Sequence, residues 1–265
     1  MQVVSVNRGD GPIVLGQPHG GTFVPDDIVD RLNDAGRALA DTDWHINRLY
    51  ECLLGNATVV QSHIHRYVID ANRDPEGVSL YPGQNTTTLV PLTDFDGQAI
   101  WTDGQAPSAD EIEHRRLTYH APYHAALAEE VQRVRDRLGV AVLFDCHSIR
   151  SQIPFLFEGI LPDMNIGTDV GITCAPEIES ITNEFAASSP YSTVLNGRFR
   201  GGWTTRHYGR PADGVHAIQM ELAQSTYLTA EAAPWSYDPA KADSLRRWLR
   251  DILDAIQDTA LELTS

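Results

Sequence analysis

Residues 140–147 read VAVLFDCH: a short apolar run, Val140 to Asp145, that reads as a strand buried in a sheet and delivers a histidine just beyond its end. Working outward, the same grammar recurs. IVLGQP, residues 13–18, precedes His19 and the pair Gly20-Gly21, and VHAIQMEL, residues 215–222, carries Glu221 near its end. Strands are expected at Pro12 to Gln17, Thr58 to His63, Val140 to Asp145, Ser192 to Leu195 and Val215 to Leu222. Helical periodicity covers Asp26 to Ala35, His45 to Leu54, Ala109 to Leu138, Pro176 to Ala187 and Ala240 to Leu261. Ser108 with Glu111 forms a capping box that opens the longest of these. Alternation of the two patterns predicts an α/β fold with a mixed, largely parallel sheet. The 265 residues are expected to form a single catalytic domain. The Gly, Pro, Thr and Asp-rich stretch 74–107 would be a lid or a small hairpin insertion in it. A segment from His65 to Pro75 reads as a further strand running into a turn, and a second Gly-rich stretch spans Asn196 to Gly214.

Composition narrows the chemistry. Thirty-six acidic against 20 basic residues give a net charge of -16, a surface that repels phosphate backbones and anionic lipid, so neither nucleic acid nor membrane is an expected partner. Of the basic residues only Lys241 is a lysine, and it sits in a C-terminal helical stretch, which leaves no Walker loop and no Schiff-base lysine. The three cysteines, Cys52, Cys146 and Cys174, form no C-x-x-C pair, and no 18-residue apolar run occurs. A soluble, cytoplasmic protein with reduced thiols is the expectation. A chain of this length buries enough surface to fold without a structural metal, so any metal would be functional.

Open α/β sheets bind ligands beyond the carboxyl ends of their strands, where His19, His147 and Glu221 fall. One strand-end histidine alone is more often a satisfied sheet-edge residue than a ligand; two, with a carboxylate on a third strand, point to a metal site. A catalytic zinc takes three protein ligands and keeps a fourth position for water. Asp43, in DTDWH, is the choice for the third ligand; its alternative use is to cap the helix that follows, and His45 is the rival ligand. Zinc suits this set, with iron, cobalt or manganese also compatible. His120 and His124 in HAPYH lie four apart, but the zincin glutamate is missing and Pro122 disturbs the turn, so with His114 they are read as packing or surface histidines. Arg66, Asn72 and Arg73 are candidates to polarise a carbonyl and hold a carboxylate. Arg150, Arg198, Arg200 and Arg206 are candidates to complete an anion pocket. Nucleophilic catalysis lacks support: no G-x-S-x-G elbow exists, and Cys146 and Ser148 face away from His147 in an extended strand.

Six segments together resemble the N-formylglutamate amidohydrolase family, within the wider zinc-carboxypeptidase and aspartoacylase-like group. They are PHGGTFVPDDI (18–28), DTDWHINRLY (41–50), HRYVIDANRDPEG (65–77), DCHSIRSQIPFLFEG with LPDMNIGT (145–168), NGRFRGGWTTRHYG (196–209) and AIQMELAQSTYL (217–228). The resemblance implies a zinc-carboxypeptidase-like fold, a three-layer α/β/α arrangement around that sheet. It also implies a zinc-dependent hydrolase that cleaves N-formyl-L-glutamate to L-glutamate and formate, the last step of one route of histidine degradation. By position His19 and His147 match the group's metal-binding histidines, and Glu221 its catalytic glutamate. Arg66 with Asn72 and Arg73 is similar to the group's arginine followed by an Asn-Arg pair, one residue closer. Thr22 stands where the group's H-x-x-E glutamate would be, so the acidic ligand must come from elsewhere. The same scaffold also serves hydrolysis of another N-acyl amino acid, carboxypeptidase-like trimming, or non-catalytic binding of an acidic metabolite.

Overall fold

The computed structural model describes residues 2–78 and 85–264. Seven strands form one sheet: β1 Val4–Asn7, β2 Ile13–Gln17, β3 Thr58–Ser62, β4 Ala141–Ile149, β5 Met164–Gly167, β6 Thr193–Leu195 and β7 Val215–Ala223, in the order β1-β3-β2-β4-β7-β5-β6. The central four, β3, β2, β4 and β7, run parallel, while β1 and β5 join their neighbours antiparallel. The sheet is therefore mixed and largely parallel, as expected.

Alternation along the strands sends side chains to two helical layers. Phe144, Cys146, Ile218 and Met220 pack with Leu245, Leu249, Ile252 and Ile256 of α8 (Pro239–Glu262). Those four α8 residues recur every three or four positions, one stripe of the helix, and burying each is worth about 1.5–3 kcal/mol. Leu143, Ala217, Val14 and Val60 face the other way, onto Tyr123, Leu127, Val131 and Val134 of α5 (Ala121–Leu138). The remaining helices are α1 (Asp26–Val29), α2 (Asp34–Arg37), α3 (Ile46–Tyr50), α4 (Ala109–Arg115), α6 (Pro176–Ser188) and α7 (Trp203–Tyr208).

Several expectations need correction. The helix over 26–35 is two short ones, because Asn33 turns the chain and caps α2 by accepting from the Gly36 amide at 2.9 Å. The helix from His45 to Leu54 is reduced to the five residues of α3. No strand follows His65: residues 66–68 form a buried turn, and the apolar run YVI fills the core beneath it. β1 and β5 were not expected, nor was α7 inside the second Gly-rich stretch. The long helix 109–138 is continuous but not uniform. Pro122 has no amide for the Thr118 carbonyl, and the chain answers with a π-turn over Arg116–His120, closed by the Ala121 amide on the Arg116 carbonyl.

Of the stretch 74–107, residues 79–84 lie outside the described residues. The later part is tied into the fold: Leu89, Val90, Phe95, Ile100 and Trp101 are buried, and Thr93 pairs with Ala99 across a tight turn. No helix among the described residues is long and apolar enough to cross a membrane.

Candidate metal centre and active site

β4 is fully buried for nine residues and runs to Ile149, so His147 lies within the strand, not after it. Asp145 and His147 are two apart and share a face; Gln219 and Glu221 do the same on β7. The register pairs Asp145 with Gln219 and His147 with Glu221, which sets four polar side chains in a square beyond the apolar pair Leu143 and Ala217. β2 ends at Gln17 and hands His19 to the same place. The turn after it is tight: a Cβ on Gly21 would lie 2.3 Å from the His63 backbone, so only glycine allows the chain to pass.

His19, Asp43 and His147 converge, all buried, and form a group that could hold a metal ion. The two Nδ1 atoms face each other at 3.2 Å, and Asp43 Oδ2 lies 3.4 Å from that of His147 and 4.0 Å from that of His19. Ligands on a tetrahedral zinc with bonds near 2.0–2.1 Å sit about 3.3 Å apart, so the donor set fits such an ion in type and spacing. The outer nitrogens are backed by carboxylates: His19 Nε2 is 2.7 Å from Asp70 Oδ1, and His147 Nε2 is 3.1 Å from Asp145 Oδ1. Carboxylates behind imidazoles orient ligating histidines and raise their basicity.

Asp43 is not a helix cap. Residue His45 occupies that position before α3, and the Asp43 carboxylate instead accepts from Arg66 Nη2 at 2.8 Å and from the Ser148 amide at 2.9 Å. His45 itself turns away, with Nε2 2.8 Å from the Trp235 carbonyl, which leaves it no part in the group.

The electrostatics follow from burial and this charge pattern. Burial, aided by the Arg66 cation, pushes His19 down to about 4. Burial also disfavours the charged form of His147, but the carboxylates of Asp145, Asp43 and Glu221 outweigh it and hold the ring well above the usual imidazole range. Burial pushes Glu221 up to about 8, His147 offsetting part of the rise and Asp43 adding to it. Four buried carboxylates, Asp43, Asp70, Asp145 and Glu221, thus crowd one site, with Arg66 the sole buried guanidinium among them in the described residues. Buried charge of one sign in excess is the environment of a cation.

Above the group lies a cleft lined among the described residues by Arg66, Asn72, Arg73, Phe95, Ser148, Leu156, Arg198, Phe199, Gln219 and Glu221. The candidate arginines separate here. Arg66 is buried, stacks 4.9 Å above the Phe95 ring, and its Nε has no hydrogen-bond partner. Arg73 already donates from Nε and Nη2 to Thr87 and from Nη1 to the Asn72 carbonyl. Arg198 lies over the Phe199 ring at the cleft wall. Arg150, paired with Asp96, Arg206, paired with Asp169, and the exposed Arg200 are not in the lining. Asn72 turns inward: its Nδ2 is 3.1 Å from His147 Nε2, and its Oδ1 accepts from the Thr204 amide at 2.9 Å.

Asp70, Asp145, Gln219 and the Thr204 amide were missed from sequence. For Asp145 and Gln219 a signal existed, since each precedes a recognised site residue by two on the same strand. For Asp70 none did, because its meeting with His19 is purely tertiary.

A carboxylate at the carboxyl end of a parallel strand, next to a His/Asp/His group that could hold a metal ion and beneath a cleft lined with arginines, has the parts of a hydrolase that takes an anionic substrate. The family model described as N-formylglutamate amidohydrolase matches residues 11–228. The N-formylglutamate deformylases of Pseudomonas aeruginosa and Pseudomonas putida are 44% and 43% identical to this chain, each match covering 96% of both partners. The crystal structure of N-formylglutamate amidohydrolase from Ralstonia eutropha JMP134 superimposes with a TM-score of 0.79 at 24% identity, covering 96% of this chain and 97% of that one, a likeness of fold. This chain belongs to the N-formylglutamate amidohydrolase family.

Proposed function

We propose that the protein hydrolyses N-formyl-L-glutamate to L-glutamate and formate, with one divalent ion, zinc by the donor set, held by His19, Asp43 and His147. The observation that carries this reading is the pair of imidazole nitrogens facing each other at 3.2 Å, with Asp43 beside them and Glu221 in register with His147 on the next strand. When bound, such an ion supplies Lewis acidity and lowers the pKa of a water to about 7.

The chain's own groups do the rest. Glu221 receives the proton of the attacking water and passes it to the leaving amine nitrogen, the carbonyl carbon having gained an oxygen and the C–N bond breaking. Gln219 Nε2, 3.0 Å from Glu221 Oε2, holds that carboxylate in place. Arg66, pinned by Asp43 through one nitrogen, offers its unpartnered Nε to the developing oxyanion. Arg198 and Arg73 both line the cleft and are the candidates to hold a substrate carboxylate; each is itself held in place, Arg198 Nε donating to the Leu156 carbonyl at 3.2 Å and Arg73 to Thr87. Arg150, Arg200 and Arg206 would act at most at longer range. Free, unpaired Cys52, Cys146 and Cys174 support a reducing, cytoplasmic setting, and a role in histidine degradation follows from the substrate.

The test is formate release from N-formyl-L-glutamate by purified protein, with elemental analysis before and after chelation. Release that stops on chelation and returns with zinc is the expected result. Release undiminished in metal-free protein would overturn the proposed centre, and no release from the metal-replete protein would overturn the substrate.

A further inference from the structure

The histidines of HAPYH take no part in the candidate metal centre, yet both are tied to it. His120 and His124 are one turn apart on the same helix, their rings 4.4 Å from each other. His120 Nε2 lies 3.1 Å from the Arg73 carbonyl, and His124 Nε2 lies 2.7 Å from the Ala71 carbonyl. A carbonyl only accepts, so each ring carries its proton on Nε2 and donates it, and the two bonds bracket Asn72 on either side. The Tyr208 hydroxyl sits 3.1 Å from His124 Nδ1.

The same rings brace the other partner of Asn72. Trp203 packs edge-on against His124 at 4.8 Å and at a tilt against His120 at 5.8 Å, and the next residue, Thr204, supplies the amide that Asn72 Oδ1 accepts from. The fit is close: a Cβ on Gly202 would lie 2.3 Å from Asn72 Nδ2. The π-turn ends on His120. One extra residue in a helical turn rotates everything after it by about 100°, so without it neither ring would be aimed at the 71–73 turn.

We infer that His120 and His124 are positioning residues, a pair of neutral struts that fix the 71–73 turn and keep the Asn72 side chain, anchored by the Thr204 amide, as a wall packed beside the His147 ring, and so hold that ring's aim. The inference rests on the amide-hydrolase reading above for its kinetic arm only. Burial keeps both rings in the neutral form the struts require, pushing His124 down to about 3 and His120 in the same direction.

The experiment compares His120→Leu and His124→Leu with His120→Gln and His124→Gln in metal-replete protein; glutamine places an N–H donor close to the position of Nε2. Leucine is expected to lower kcat for formate release about tenfold with KM little changed, the size seen when outer partners of a ligand are lost. Amide exchange over residues 70–74 should quicken while the melting temperature stays within a few degrees of the wild type. Glutamine should restore most of both. Leucine variants with wild-type kcat and unchanged exchange at 70–74 would overturn the inference, as would glutamine variants no better than leucine, the mark of simple core packing. Wild-type protein that releases no formate would end the reading of function, and the exchange arm alone would then decide the struts.

Discussion

Two close pairs of histidines lie among the described residues, and their difference is what stands behind each ring. His19 and His147 come from separate strands and turn Nδ1 toward each other, with a carboxylate at each Nε2. His120 and His124 come from one helical turn and spend Nε2 on backbone carbonyls. A carboxylate at the back makes an imidazole more basic and frees its front nitrogen for a cation; a carbonyl at the front consumes the only proton a neutral ring has to give. Spacing in sequence favours the second pair as ligands, since i and i+4 share a helix face, and it misleads.

The sharpest way to break this comparison is to remove a ring of the first pair. His19→Ala or His147→Ala should leave metal content at background and formate release undetectable, read by elemental analysis and a formate assay; a variant that keeps its metal would dissolve the distinction. Next in size, Glu221→Gln should retain the metal and lower kcat by about 10²–10⁴, checked by steady-state kinetics on protein of verified metal content. Replacing the backing carboxylates, Asp70→Asn or Asp145→Asn, should weaken metal affinity or activity by about 10–100-fold, measured by competition with a chromophoric chelator. Arg198→Ala should raise KM about tenfold or more at nearly constant kcat, the loss of a charge-assisted hydrogen bond. Smallest of all, His45→Ala should leave the metal stoichiometry unchanged and cost about 1 kcal/mol of stability, read from denaturant unfolding, because that ring bonds to the Trp235 carbonyl and packs against Tyr237, away from the metal group.

Much of this was legible from the chain because strands and long helices announce themselves by period. β2, β3, β4 and β7 and the helices α6 and α8 fall within a few residues of expectation. The unforeseen strands β1 and β5 are four residues each, too short for alternation to register. The run after His65 resembled a strand because a buried turn needs the same apolar residues as a buried strand. In the site, His19, Asp43 and His147 were identified by their places at strand ends and in a turn, and the structure brings them together. Arg73 was read as a substrate clamp because a guanidinium is a good fork, but nothing in sequence says what holds a fork in place. Here Thr87, fourteen positions later, holds this one.

The register of β4 on β7 carries a further consequence, for how the protein matures. His147 and Glu221 meet only because two strands far apart along the chain pair without slippage, and a shift of either strand by one residue would turn its side chain to the opposite layer. The remaining donors arrive from the N-terminal sixth of the molecule. A newly made chain therefore assembles the centre in two parts: the three donors meet when β4 docks beside β2, and the carboxylate of Glu221 joins them only when β7 pairs with β4, so capacity to take up an ion reports the first event and turnover the second.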